Sequence, residues 1–251
     1  MKSLAILSTV GGAGRTTVLA HMATAFSRLQ RPVVAIDLDP QNALGVHLGI
    51  SPGHTDGWAL RFLAGEPIGN AALWADGVHV LPFGRVDGAT CLHLLEKLSH
   101  DSTWLLRQLG NLAVDQRTLA LLDAPPLPSP FALQALEAAN VVAALIKPDA
   151  LTLRLIDQFD ALHADIPAAP LIFNCNDPAS ELGSAVYDIV RDRFAARCVP
   201  EVIHTDSAVA EALAADASLF DYAPHSQAAH DMHGLSRWLL ARIDAATEVP
   251  V

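Results

Sequence analysis

The run Thr9-Val-Gly-Gly-Ala-Gly-Arg-Thr-Thr17 gathers three glycines, a guanidinium and hydroxyls into nine positions, a set suited to holding phosphate. Glycines at 11, 12 and 14 let backbone N–H groups turn inward around phosphate oxygens, and a helix starting there adds its partial positive charge. The Thr16 hydroxyl is placed to ligate Mg²⁺, and Arg15 offers a planar fork for phosphate oxygens. The general pattern G-x-x-x-x-G-K-[ST] has Gly where this chain has Thr9 and Lys where it has Arg15. Taken alone, the loop is equally well explained as a Gly-rich turn that binds nothing. Two acidic segments shift that balance, namely Asp37-Leu-Asp-Pro-Gln41 and Asp123-Ala-Pro-Pro126. Each follows an apolar run and so puts carboxylates beyond the C-terminal end of a strand, where open parallel sheets bind ligands. Carboxylates there hold a metal's water shell or orient an attacking water; their plainer explanation is solvated turn or helix-cap aspartates.

These groups need a scaffold, and the hydrophobic pattern supplies one. Short apolar runs alternate with longer helical patterns, the signature of βαβ units. Strands are expected at Leu4 to Leu7, Val33 to Ile36, Val78 to Leu81, Leu119 to Leu122, Val141 to Ile146 and Leu171 to Phe173, with a further one at Val199 to Val202. Thr17 to Leu29 carries Leu19, Met22, Ala23 and Phe26 at helical spacing, and Leu182 to Phe194 carries Val186, Ile189 and Val190. Pro125, Pro126, Pro128 and Pro130 predict a rigid extended turn before the next helix. The expected fold class is α/β: one domain over residues 1–251 with a doubly wound, mostly parallel sheet flanked by helices.

Composition narrows the function. With 251 residues, 51% hydrophobic and 17% charged, the chain can bury a core without disulfides or a structural metal. Its formal net charge of −11 disfavours broad attachment to DNA or anionic lipid. Cys91, Cys175 and Cys198 are odd in number and widely spaced, which suits reduced thiols and three buried small hydrophobes. The N-terminus does not read as a secretory signal, and no apolar stretch reaches the roughly 20 residues that cross a bilayer. The expected location is cytoplasmic.

Val10-Gly-Gly-Ala-Gly-Arg-Thr-Thr17 is similar to the Lys-Gly-Gly-x-Gly-Lys-Thr-Thr loop of the ParA/MinD ATPases, a deviant P-loop family. Asp37-Leu-Asp-Pro-Gln resembles their first switch and Asp123-Ala-Pro-Pro their second. The resemblance implies ATP or ADP with Mg²⁺ as cofactors. It places Gly11, Gly12, Ala13, Gly14, Arg15, Thr16 and Thr17 around the phosphates, with Thr16, Asp37 and Asp123 beside the metal. By the same resemblance Asp39 orients the hydrolytic water and Asn174 reads the adenine edge. The segments 202–212 and 221–229 resemble the family's closing segments. Within the superfamily, Gly57-Trp-Ala-Leu-Arg-Phe-Leu-Ala-Gly65 followed by Val80-Leu-Pro-Phe-Gly84 resembles BcsQ, the accessory ATPase family of bacterial cellulose secretion.

That likeness implies a weak or slow ATPase, working as a homodimer or with a small accessory subunit and recruited to the cellulose synthase complex at the inner membrane. Val10 cannot make the contact across a dimer that the family's lysine makes, and a missing cation costs phosphoryl transfer about 10³-fold or more. Two alternatives stand beside it: a positioning ATPase for DNA partition or cell division, and a non-hydrolysing nucleotide-bound scaffold. Direct DNA binding is disfavoured by the charge. His230 and His233 share a helical spacing but lack partner ligands for a metal, so solvated surface histidines are expected. Leu235 to Ile243, with Trp238 and Arg242, is expected to pack on the sheet rather than anchor to a membrane, and the acidic Glu248 does not favour an anchor.

Overall fold

The computed structural model describes residues 1–8, 10–162 and 166–245. Thr9, at the start of the glycine loop, and Glu248 lie outside the described residues. The elements run β1 (Lys2–Ser8), α1 (Arg15–Arg28), β2 (Val33–Asp37), α2 (Leu44–His47), α3 (Trp58–Leu63), β3 (Leu73–Ala75) and β4 (Val78–Leu81). They continue with α4 (Gly88–Ser99), α5 (Trp104–Asn111), β5 (Leu119–Asp123), α6 (Pro130–Ala138), β6 (Val141–Ile146) and α7 (Ala150–Asp160). The chain closes with β7 (Leu171–Asn176), α8 (Glu181–Arg193), β8 (Cys198–His204), α9 (Ser207–Ala214), α10 (Leu219–Tyr222) and α11 (Gln227–Ala245).

The eight strands form one sheet in the order β3-β4-β2-β5-β1-β6-β7-β8, parallel throughout except for the β3–β4 pair. Every expected strand is present. The antiparallel edge strand β3 is not legible in the sequence, because its three residues are too few to show a period and only one neighbour supports them.

Alternation along the strands sets the layers. In β1, Leu4 and Ile6 face one side with α1 and α11, while Ala5 faces the other with α3 to α6. The same alternation puts Val33, Ala35, Leu119 and Leu121 on the α1 side. Two positions further along β2 and β5, Asp37 and Asp123 fall on that side too, paired directly across the strands. They therefore stand side by side at the strand ends, where α1 begins.

Helix α1 buries nine consecutive residues, Val18 to Phe26, so it fits between the sheet and α11 as an inner helix. Helix α11 packs Leu235, Leu239 and Ile243 into the same core; Trp238 is half-buried against it, with the Arg242 guanidinium 5.5 Å from the indole centre. The segment expected to pack on the sheet does so. Pro130 opens α6 at its first turn, and residues 124–129 form no regular element, as the prolines require.

Two expectations need correction. The three cysteines are only partly buried, each near a helix or strand end rather than in the core. His233 is not simply solvated, since it packs 4.5 Å from the Phe220 ring and burial lowers its pKa. Among the described residues no helix is long and apolar enough to cross a membrane.

Candidate functional site

The glycine loop leaves β1 at the centre of the sheet and enters α1. Gly12 and Gly14 hold φ of +72° and +86°, a conformation that side-chain-bearing residues rarely adopt. Gly14 serves as the N-cap of α1 without any side-chain cap, and the first helical hydrogen bond runs from Val18 N to Gly14 O at 2.9 Å. The amides of the first turn are consequently left without helical acceptors, and the positive end of the helix faces outward. Gly14 is also required for space: a Cβ there would stand 2.6 Å from Asn174 Nδ2. Buried Asn174 donates from that nitrogen to Ala13 O at 2.7 Å, bracing the loop from β7. One N–H and the carbonyl oxygen of its amide remain for another partner.

A cavity of about 240 Å³ lies between Gly12 to Thr17 on one side and Asp39, Gln41, Ala43 and His47 on the other. It is smaller than the roughly 300–1,000 Å³ of whole-ligand pockets, so it matches the phosphate part of a nucleotide. The loop after β2 is organised by its own carboxylates. Asp37 accepts from Asp39 N and from Leu44 N, both at 3.0 Å, which caps α2, and Asp39 accepts from Gln41 N at 2.9 Å. Leu38 N donates to Asp123 O at 2.7 Å, tying this loop to the tip of β5.

Electrostatics follow from the pairing of Asp37 with Asp123. Burial pushes the Asp37 carboxyl well above the usual carboxylate range, and the neighbouring Asp123 adds to the shift. Asp123 is raised to about 7, again first by burial, against the opposing effects of the Thr16 hydroxyl and the Arg15 guanidinium. Neither Asp123 oxygen accepts a hydrogen bond of normal geometry, although the Thr16 hydroxyl is near enough to lower the pKa. Two orphaned buried carboxylate oxygens beside a threonine hydroxyl form a hard-oxygen donor set that fits a divalent cation such as Mg²⁺.

Arg15 is directed inward. Its Nε donates to Ala124 O at 3.1 Å, its Nη1 donates to Ser8 Oγ, and its charge faces Asp123 and Asp39. Val10 is buried in the α1-side core. The structure thus brings Gly12 to Thr17 and Asp39 to one cavity, with Asp123 joined to them through Thr16 and Arg15. Asp37 is more remote, its two oxygens spent on backbone amides, and Asn174 lies beneath the loop.

Several contributors have no sequence signal. Ser8 and Ala124 meet only through the guanidinium, and His47 reaches the cavity from a four-residue helix. The Trp58 indole, fully buried, donates to Asp37 O at 2.6 Å. Trp58 belongs to the segment 57–65, and this meets the segment 80–84 backbone to backbone. Trp58 N donates to Pro82 O at 2.9 Å, and a Cβ on Gly57 would fall 2.3 Å from Gly84 N. Phe83, Trp104 and Phe131 surround the indole. At the far end of the sheet, Asp206 accepts from Ala208 N and Ala228 N, and Asp231 accepts from His204 N and Gln227 Nε2, which joins the two closing segments.

Comparison with known proteins agrees with this geometry. The chain is 28% identical over 255 residues to the chromosome-partitioning ATPase Soj of Thermus thermophilus, covering 98% of both chains. It is also 28% identical over 249 residues to the cellulose biosynthesis protein BcsQ of Salmonella typhimurium, covering 96% of this chain and 94% of that one. Among solved structures, the septum site-determining protein MinD of Pyrococcus horikoshii, complexed with Mg-ADP, superposes with a TM-score of 0.72 at 21% identity, covering 99% of each chain. The fold is that of the MinD/ParA-type P-loop ATPases, and over residues 1–240 the sequence matches the family described as Cellulose biosynthesis protein BcsQ, to which the chain belongs.

Proposed function

We propose that this protein binds ATP in the cavity of the β1–α1 loop and acts as a nucleotide-dependent accessory factor of bacterial cellulose synthesis and secretion. In this reading it assembles with, or positions, the synthase complex at the inner membrane, as a dimer or with a small subunit. The observation that carries the nucleotide part is the glycine loop's uncapped helix start facing Asp39 across a phosphate-sized cavity, with Asp123's orphaned oxygens beside Thr16. The amides of Gly12 to Thr17 take the phosphate oxygens, and Asn174, already fixed to Ala13 O, turns its free amide groups to the base. Thr16 and Asp123 hold Mg²⁺, with Asp37 as a buried organiser of the loop that carries Asp39. When bound, the metal neutralises charge on the phosphates. Asp39 positions the attacking water, and its side chain is pre-set by Gln41 N.

The cellulose assignment rests on membership of the BcsQ family. The equal identity to Soj favours DNA partition as a second reading, against which the net charge of −11 weighs. Affinity capture from native membranes separates them: recovery of the inner-membrane cellulose synthase supports the first, and retention of DNA or division proteins overturns it. Measuring ATP turnover alongside tests Asp39, whose replacement by Ala should abolish any hydrolysis while leaving nucleotide bound.

A further inference from the structure

The side chain at position 15 does more than stand in for another cation. Its guanidinium does not reach out from the loop toward the cavity's open side. It folds back to bond Ser8 Oγ at the end of β1 and the Ala124 carbonyl at the end of β5, facing the carboxylates of Asp123 and Asp39. Those two strand tips flank the place where Asp123 presents its unpartnered oxygens. Arg15 is the only Lys or Arg among the described residues lining the phosphate cavity. A planar fork suits this double anchorage, with Nε and Nη1 each directed at one acceptor; a lysine ammonium has three donors but only one strongly hydrated nitrogen from which to reach both.

We infer that Arg15 is a built-in counter-cation for the acidic pocket, so that nucleotide binding by this protein is nearly independent of Mg²⁺. The inference rests on the nucleotide-binding reading above. In this pocket an incoming triphosphate meets Asp39 in the wall and Asp123 beside it, and a divalent ion ordinarily relieves such repulsion. Here one positive charge is already held between the acids and the phosphate site, fixed by two hydrogen bonds. A metal entering at Asp123 meets the repulsion of this fixed positive charge, which already opposes the effect of burial on that carboxyl, and so gains less than it would without the guanidinium.

The test is calorimetric titration of ATP and of ADP into the purified full-length protein, in magnesium buffer and in EDTA. Wild-type affinities should agree within about threefold between the two buffers, whereas Arg15→Lys should bind at least about tenfold more weakly in EDTA and recover with magnesium. A tenfold or greater loss for the wild type in EDTA overturns the inference, and that measurement needs no variant. Equal behaviour of wild type and a folded Arg15→Lys protein, checked by circular dichroism, also overturns it. If ATP binds in neither buffer, the nucleotide-binding reading itself fails and the inference falls with it, a result distinct from magnesium-dependent binding.

Discussion

Replacing Gly14 with Ala probes the joint between the phosphate loop and β7. Position 14 has φ of +86°, so an L side chain there costs about 1–2 kcal/mol in backbone strain. The new Cβ would also stand 2.6 Å from Asn174 Nδ2. The amide must retreat, and its 2.7 Å bond to the buried Ala13 carbonyl goes with it. Leaving that carbonyl unsatisfied adds about 1–3 kcal/mol. Gly14→Ala should therefore destabilise by about 2–5 kcal/mol, a large share of a typical 5–15 kcal/mol stability. Asn174→Ala alone orphans the same carbonyl and should cost about 1–3 kcal/mol. In the double variant the carbonyl is orphaned once and the overlap is gone, so the combined loss should fall short of the sum by about 1–3 kcal/mol, the carbonyl cost counted twice. Urea unfolding of the four proteins, with midpoints and slopes fitted separately, measures each value. Additivity within about 0.5 kcal/mol would show that Asn174 does not brace the loop and would refute the reasoning.

Two other perturbations address the loop after β2 from opposite sides. Trp58→Phe removes the 2.6 Å indole bond to Asp37 O and leaves that buried carbonyl bare, so it should lower stability by about 2–3 kcal/mol; an unchanged urea midpoint would sink the role given to the indole. His47, in the cavity wall, has its pKa lowered to about 4, first by burial and then by His21. Below about 6.5 the unfolded chain takes up a proton that the folded imidazole refuses until about 4, so this stability is full above 6.5 and is lost as pH falls through that window. At about 1.4 kcal/mol per unit the ceiling is about 3 kcal/mol, and solvent at the cavity rim brings it nearer 1. The unfolding midpoint of wild type should thus fall relative to that of His47→Gln as pH is lowered from 7 to about 4.5, and parallel pH slopes would count against the assignment.

What could be foreseen from the sequence was whatever depends on short-range periodicity. A strand alternates sides every residue, so Val33, Ala35 and Asp37 had to share a face, as did Leu119, Leu121 and Asp123. Once β2 and β5 became neighbours, the acidic pair followed. The glycine loop was legible for a similar reason, since strand, glycines and helix are contiguous. What escaped was long-range. Arg15 takes its direction from Ser8 and from Ala124, more than a hundred positions away, and no local pattern says whether a guanidinium turns out to a ligand or in to two strand tips. The Gly57–Gly84 contact is likewise a meeting of two backbones, visible beforehand only as two segments resembling one family.

The same distinction alters the meaning of the two missing lysines. Judged by sequence, Val10 and Arg15 look like losses. In the fold, Val10 is buried with 7% exposure in the core that α1 shares with the sheet, a place an unpaired ammonium could not occupy without large desolvation cost. Arg15 is wedged between strand tips and carboxylates by two hydrogen bonds. Each side chain thus has defined partners in the fold, apolar ones for Val10 and two oxygen acceptors for Arg15. Val10→Lys should accordingly lower the urea unfolding midpoint, because the apolar packing that receives valine gives an ammonium no partner, and an unchanged midpoint would refute this.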